Sequence, residues 1–150
     1  TYFADDEEKK EQRRKSFRII KESYPNYVRA GIPNLFSNNE KDILEGKINL
    51  AKEIALSTKT EGVLAAVKGM IERTDKTALI ENFEGKILII AGKHDNAVNT
   101  EKTIKNLPDK TNIKSYTLDC GHNGHWEKPA ICAEIINTEL LHNLPKNLIF

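Results

Sequence analysis

Two clusters of titratable side chains follow the two segments that read as buried strands. The first cluster, Gly92–Asn96, holds Asp95, and the second, Cys120–Glu127, holds His122. Ligands of open α/β sheets bind beyond the carboxyl ends of the strands, so adjacent parallel strands would bring Asp95 and His122 to one edge. A carboxylate that accepts a hydrogen bond from an imidazole fixes its tautomer and stabilises the imidazolium. The pair therefore predicts two-thirds of a nucleophile–histidine–acid triad.

Two strands and two helices must position these clusters. Residues 86–92 form a continuous apolar run, bounded by glycines, that is typical of a strand buried on both faces of a parallel sheet. Residues 112–118 alternate as a second strand, and a helix over 99–106 lies between the two. After a polar loop over 119–128, Pro129 opens a helix to about Asn143. The order is βαβα, with parallel strands and a right-handed crossover.

The last predicted helix is amphipathic. Its apolar positions recur at helical spacing and are expected to face inward; they are Ile131, Ile135, Ile136, Leu140 and Leu141. The tail from Leu144 to Phe150 is apolar and ambiguous.

The first 82 residues read as helices without a clear strand. The spacing predicts a helix over 5–24, capped by Asp5 or Asp6 and ended by Pro25. A short helix within 27–36, a helix capped by Asn38 or Asn39 that runs to about Ser57, a helix over 60–73 and a further turn within 75–82 follow. Two parallel strands are too few for a stable doubly wound sheet, so we expect an open edge that another segment or chain covers.

The second half of the chain resembles the C-terminal part of an α/β-hydrolase-fold enzyme. Residues 87–95, ILIIAGKHD, are similar to the strand that ends in the family's acid loop, and residues 120–129, CGHNGHWEKP, are similar to its histidine loop. The resemblance implies that Asp95 is the triad acid and His122 the triad base. It also implies that residues 1–82 are a helical cap and that 83–150 close the C-terminal part of the core.

The nucleophile of that family lies in a Gly-x-Ser-x-Gly elbow that precedes the acid and the histidine. The sequence contains no such motif and no counterpart of the early oxyanion-hole loop. The chain therefore resembles the part of the enzyme that follows the nucleophile, and we expect it to be inactive alone. A serine nucleophile would imply ester, thioester or lactone hydrolysis, and an aspartate would imply epoxide or haloalkane hydrolysis; a cysteine stays open as well.

Other readings of the clusters are weaker. Zinc ligation by residues such as Cys120, His122 and His125 matches no established spacing, so no metal is expected. Cys120 as a nucleophile beside His122 is disfavoured because adjacent loop positions seldom face one another. His125 is expected to pack or bond behind His122, and Glu127 to cap the last helix or orient the loop.

Several apolar side chains are candidates for the core or for a substrate pocket. Trp126 is expected in the core or the pocket wall, and Cys132 as a small buried hydrophobe. The helical segment adds candidate pocket residues, for which core packing is the simpler reading: Phe17, Tyr24, Tyr27, Phe36 and Met70. His94 and His125 have a weaker claim to face a substrate.

Composition limits the class of protein. The 150 residues have 23 basic and 22 acidic side chains with no block of one sign, which argues against a nucleic-acid binder or a polybasic membrane anchor. No apolar run approaches a membrane span, no signal peptide opens the chain, and two cysteines make no disulfide framework, so a cytoplasmic location is expected.

Two functions follow from these patterns. In the first, the chain is the C-terminal portion of an α/β-hydrolase acting on a small ester-like molecule, with no cofactor. In the second, it is a non-catalytic α/β module that associates through its open sheet edge, with a second copy or with a missing N-terminal half as partner.

Overall fold

The computed structural model describes residues 2–141, which divide into two compact units. The helical unit comprises residues 2–34 and Asp42–Asn82, and the sheet unit comprises Leu35–Lys41 and residues 83–141. The end of the last predicted helix, at 142–143, and the apolar tail from Leu144 lie outside the described residues. The assignment of residues 1–82 as a cap stays a prediction.

The first helix, α1, spans Glu7–Gly31 and begins as predicted at Asp6, whose carboxylate accepts a hydrogen bond from Lys9 N. The prediction that the first helical stretch ends before Pro25 agrees with an interruption at Ser23, whose φ of −156° and ψ of 78° are not helical. The sequence did not predict that a second helical stretch, which contains Pro25, follows directly. Proline is tolerated in the first turn of a helix because its missing N–H would have no partner there, and this residue lies in the first turn after the kink.

Three further helices complete the helical unit. After 3-10 turns at Ile32–Leu35 and Asn38–Glu40 come α2 (Lys41–Ser57), α3 (Thr60–Glu72) and α4 (Thr77–Asn82). The predicted caps at Asn38 and Asn39 are wrong, because the Ser37 hydroxyl caps this start by accepting from Asn39 N. Helix α1 packs against α3, and the hydroxyl of Tyr24 on α1 donates to Ala55 O on α2.

The sheet unit contains β1 (Ile87–Gly92) and β2 (Ile113–Leu118), joined through α5 (Thr100–Lys105). The strands pair in parallel, from Ile87 opposite Ile113 to Gly92 opposite Leu118, which confirms the predicted βα arrangement. The prediction that β1 is buried on both faces is wrong for the described residues: Ile87–Ala91 are only half-buried, because within residues 2–141 this strand has a single neighbouring strand.

The predicted polar loop over 119–128 contains one helical turn, α6 (Gly124–Glu127), because the carbonyl of Asn123 accepts hydrogen bonds from Trp126 N and Glu127 N. Helix α7 (Pro129–Ile136) follows, and a π-helical turn at Asn137–Leu141 continues it. In the part of the chain that the structure describes, no helix is both long and apolar enough to cross a bilayer.

The inward face predicted for α7 needs correction. Cys132 and Ile135, three residues apart, are its buried side chains, whereas Ile131 and Ile136 are exposed by 45% and 40%. A helix turns about 100° per residue, so these two isoleucines flank the buried stripe instead of extending it.

Candidate active site

The structure brings together the two residues that the sequence singled out. Nδ1 of His122 donates a hydrogen bond to Oδ2 of Asp95 over 2.8 Å. The Asp95 side chain is 7% exposed and the His122 side chain 41% exposed. A buried carboxylate thus holds one ring nitrogen of a histidine whose side chain reaches the surface, which is the contact between Asp95 and His122 that the sequence predicted.

Asp95 lies in the turn after β1, where local hydrogen bonds fix its carboxylate. Oδ1 accepts from the backbone N–H groups of Ala97, over 2.7 Å, and Val98, over 2.9 Å, which leaves Oδ2 for His122. Burial alone would raise the pKa of Asp95, but the hydrogen bonds from His122 and from the two N–H groups outweigh it and lower that pKa below its ordinary value. Asp95 therefore remains ionised and can accept the imidazole proton.

The same contact sets the chemistry of His122. Its hydrogen bond to the Asp95 carboxylate raises the pKa of His122 above the ordinary value, against the opposing effect of burial. With the proton of the neutral ring held on Nδ1, Nε2 is the basic atom, and among residues 2–141 it makes no hydrogen bond. Such a ring can take a proton from a nearby hydroxyl or thiol and later return it.

Close backbone contact between two loops holds the pair in register. After β1, Lys93 N donates to Leu118 O over 2.8 Å, and His94 N donates to Cys120 O over 2.9 Å. A Cβ at Gly92 would lie 2.0 Å from the carbonyl oxygen of Gly121, the residue before His122. Only glycine fits at position 92, because any side chain there would keep the acid loop (Gly92–Asn96) away from the histidine loop (Asp119–Lys128).

A second buried carboxylate lies behind the histidine loop. Glu127, 7% exposed, accepts a hydrogen bond at Oε1 from Gly121 N, over 2.9 Å, and at Oε2 from Ser37 N, over 3.1 Å. Of the two roles expected for Glu127, the structure shows the one that orients the loop, since the N-cap position of α7 has no side-chain hydrogen bond.

The segment Leu35–Lys41 belongs to this site, although the sequence patterns placed it among the helices of residues 1–82. Besides the Ser37 contact, Asn123 N donates to Leu35 O, and Lys128 pairs with Glu40 over 2.8 Å. The contacts join residues about 90 positions apart in the chain, and the only local signal was a serine suited to cap a helix.

His94 forms a pair of its own that the sequence did not predict. Its Nε2 lies 2.6 Å from Oδ1 of Asp119 and 3.4 Å from the amide nitrogen of Asn39. The hydrogen bond from His94 lowers the pKa of Asp119, which is exposed. This pair lies one residue from Asp95 along the acid loop, and it makes a second side-chain bond between that loop and the histidine loop.

The other candidates of the second cluster, His125, Trp126 and Cys120, take no part in the hydrogen bond between Asp95 and His122. His125 is exposed and lies beside Trp126, with ring centroids 6.3 Å apart. Within residues 2–141 no hydrogen bond joins it to His122, and its packing behind that ring stays a prediction. Trp126 packs edge-on against Phe36, which is fully buried in the sheet unit. Burial raises the pKa of the Cys120 thiol to about 11, which opposes a nucleophilic role.

Met70 and the other apolar candidates of the helical unit, Phe17, Tyr24 and Tyr27, are all partly shielded from solvent. Cys132 is buried, as expected. Within residues 2–141, no three histidine, cysteine, aspartate or glutamate side chains converge as a metal site would require.

Comparison with solved structures identifies the architecture. A thermophilic esterase from Thermogutta terrifontis matches 95% of this chain, with 26% identity and a TM-score of 0.82. MGS-M2, an α/β-hydrolase enzyme from a Medee basin deep-sea metagenome library, matches 99% of it, with 17% identity and a TM-score of 0.75. The chain has an α/β-hydrolase fold. No family model and no curated protein matches the sequence.

The chain matches only part of each of these two solved proteins. The chain spans about half of their length, 53% of the esterase and 56% of MGS-M2. The chain has a parallel two-stranded sheet, preceded in sequence by helices, and it matches about half of each α/β-hydrolase. This agrees with the prediction that it is the C-terminal portion of that fold.

Proposed function

We propose that this chain supplies the acid and the base of an α/β-hydrolase that cleaves small ester-like molecules. One observation supports the proposal above the others: the buried carboxylate of Asp95 accepts the Nδ1–H of a surface-reaching His122 over 2.8 Å. The likeness to a thermophilic esterase, over 95% of this chain, supports the choice of an ester-like substrate.

In the proposed reaction, Nε2 of His122 removes the proton of the nucleophile as that group attacks the substrate carbonyl. Asp95 stabilises the imidazolium that forms and keeps Nδ1 as the donor. The imidazolium then protonates the departing alcohol, leaving an acyl group on the nucleophile. Water, deprotonated by the same nitrogen, cleaves that acyl bond and restores the nucleophile. These steps need no cofactor.

The proposal requires a nucleophile and an oxyanion hole from residues that precede this chain. The sequence holds no Gly-x-Ser-x-Gly elbow. The chain alone is therefore proposed to be inactive, and the nucleophile decides the reaction class. An aspartate in that position would favour epoxides or haloalkanes over esters.

The helical unit, residues 2–34 and Asp42–Asn82, is proposed to act as the cap of this hydrolase and to shape its substrate preference. Both described cysteines are free thiols, which supports a reducing, cytoplasmic location as part of the proposal.

The test compares p-nitrophenyl acetate hydrolysis by the 150-residue chain with hydrolysis by the longer protein that the proposal requires. We expect activity only in the longer protein, and Asp95→Asn should lower its kcat by about 10³ to 10⁴-fold. Because Asp95 raises the pKa of His122, this variant should also move the acidic limb of the pH–rate profile, where His122 loses its proton, to lower pH. An unchanged rate in Asp95→Asn would place the triad acid elsewhere, and turnover of haloalkanes alone would exclude an ester hydrolase.

A non-catalytic module remains the second candidate, favoured by the half-buried residues Ile87–Ala91 of β1 in a sheet that has two strands within residues 2–141. This candidate predicts that the chain binds the dye ANS or self-associates through that sheet. A monomer that leaves ANS fluorescence unchanged would count against it.

A further inference from the structure

The buried carboxyl group of Glu127 has no part in the proton transfers described above, yet it contacts the backbone next to His122. Its two oxygens accept two backbone N–H groups: Oε1 accepts from Gly121, the residue directly before His122, and Oε2 accepts from Ser37. A buried polar group without a hydrogen-bond partner destabilises the folded protein, so the loss of the carboxyl group would leave both N–H groups unsatisfied.

The surroundings of Glu127 leave the histidine loop little freedom. A Cβ at Gly121 would lie 2.6 Å from Ser37 N and 2.9 Å from Oε1 of Glu127, so backbone and carboxyl group are already in close contact. On the opposite side, the Gly121 carbonyl oxygen is 2.0 Å from the position of a Cβ at Gly92. Gly121 is thus held between the end of β1 and the carboxyl group of Glu127.

We propose that Glu127 is a positioning residue for His122, because its carboxyl group fixes Gly121 against the segment Leu35–Lys41 and so keeps the imidazole on Asp95. This inference rests on the proposed role of His122 as the base. The segment Leu35–Lys41 is then a structural support of the active site, although it lies far ahead of the acid and the histidine in the sequence.

Glu127→Gln is the most informative substitution, because it preserves size while removing one of the two acceptors. A glutamine offers one carbonyl oxygen, so either Gly121 or Ser37 would face an amide NH₂ group, donor against donor. One matched control exists, since Glu134→Gln makes the same change on an exposed site of α7.

The first readout is an NMR titration of the His122 ring. In the unmutated protein the Asp95 contact raises the pKa of His122. We expect Glu127→Gln to lower that pKa toward the ordinary value, because a displaced Gly121 weakens the His122–Asp95 hydrogen bond, while Glu134→Gln leaves it unchanged. A His122 titration that is identical in Glu127→Gln and the unmutated protein would overturn the proposal, as would an equal shift in Glu134→Gln.

The second readout needs no variant and holds even if Glu127→Gln fails to fold. If Glu127 positions His122, the opening that frees the Gly121 amide also breaks the His122 Nδ1–Asp95 bond. Hydrogen exchange of the Gly121 amide proton and of the His122 Nδ1 proton should then report the same opening free energy. A Gly121 amide that opens independently of the imidazole would overturn the proposal.

The third readout separates this inference from the proposed function. In the longer, active protein we expect Glu127→Gln to lower kcat/KM by about 10 to 10²-fold, the loss expected from a small misplacement of a catalytic group. If His122→Ala retains activity while Glu127→Gln still moves the His122 titration, then the triad assignment fails and the positioning role stands. If His122→Ala is inactive and Glu127→Gln changes neither readout, the triad stands and the positioning role fails.

Discussion

Gly92→Ala should disrupt the site although it adds a single methyl group. That methyl would lie 2.0 Å from Gly121 O and 2.7 Å from Cys120 O. Carbon and carbonyl oxygen approach to about 3.3 Å at closest, so the histidine loop must retreat by more than about 1 Å. The backbone bond from His94 N to Cys120 O cannot survive that movement.

The expected cost follows from these contacts. Overpacking a tight site costs about 1–3 kcal/mol, and the lost hydrogen bond adds about 1 kcal/mol. We therefore expect Gly92→Ala to lower the free energy of unfolding by about 2–4 kcal/mol. Because a displacement near 1 Å misplaces a catalytic group, kcat/KM of the longer protein that the proposed function requires should also fall by about 10²-fold.

Urea denaturation followed by circular dichroism measures this change, and the chain offers a matched control. A Cβ at Gly69, inside α3, would meet no atom within 4 Å. Gly69→Ala should stabilise the protein by about 0.5–1 kcal/mol, because alanine favours a helix more than glycine does. If Gly92→Ala is within 0.5 kcal/mol of the unmutated protein on this scale, the close approach of the two loops is not a constraint and the reasoning fails.

Three further predictions concern titratable groups. His122→Gln should destabilise the protein most below the ordinary histidine pKa of about 6.5 and progressively less as the pH rises through the raised pKa of His122; a difference in unfolding free energy that grows toward pH 9 would contradict this. Asp5→Asn should lower the free energy of unfolding by about 1–3 kcal/mol, because it leaves the partly buried Arg13 and Arg73 without the carboxylate that they share. Chemical denaturation at pH 7 measures this loss, and an unchanged free energy of unfolding would contradict the prediction. Cys120, buried and with its pKa raised to about 11, should react with Ellman's reagent at pH 8 only after denaturation, and rapid labelling of the folded protein would refute that placement.

The pairing of Asp95 with His122 could be predicted because it follows from topology. Once 87–92 and 113–118 are recognised as adjacent parallel strands, the residues after each strand must meet at one edge. The spacing of apolar residues likewise predicts most helices, since helical periodicity is a local property of the sequence.

Features that depend on contacts between distant segments could not be predicted in this way. Nothing near Ser37 in the sequence indicates that its N–H meets Glu127, 90 residues away. The exposure of Ile131 and Ile136 depends on which elements cover α7, and no pattern within the helix encodes this. The kink at Ser23 shows the same limit on a smaller scale, because a proline that can end a helix can also stand in the first turn of the next.

The proposal that His122 is the base of a hydrolase is tested most directly by comparing two histidine variants of the longer protein that this proposal requires. His122→Ala removes the ring that is hydrogen-bonded to Asp95. His125→Ala removes an exposed ring three residues further on, which makes no hydrogen bond to Asp95. With p-nitrophenyl acetate, we expect kcat/KM to fall by at least about 10³-fold in His122→Ala and by less than about tenfold in His125→Ala. Near-normal turnover in His122→Ala, or an equal loss in both variants, would show that His122 is not the base.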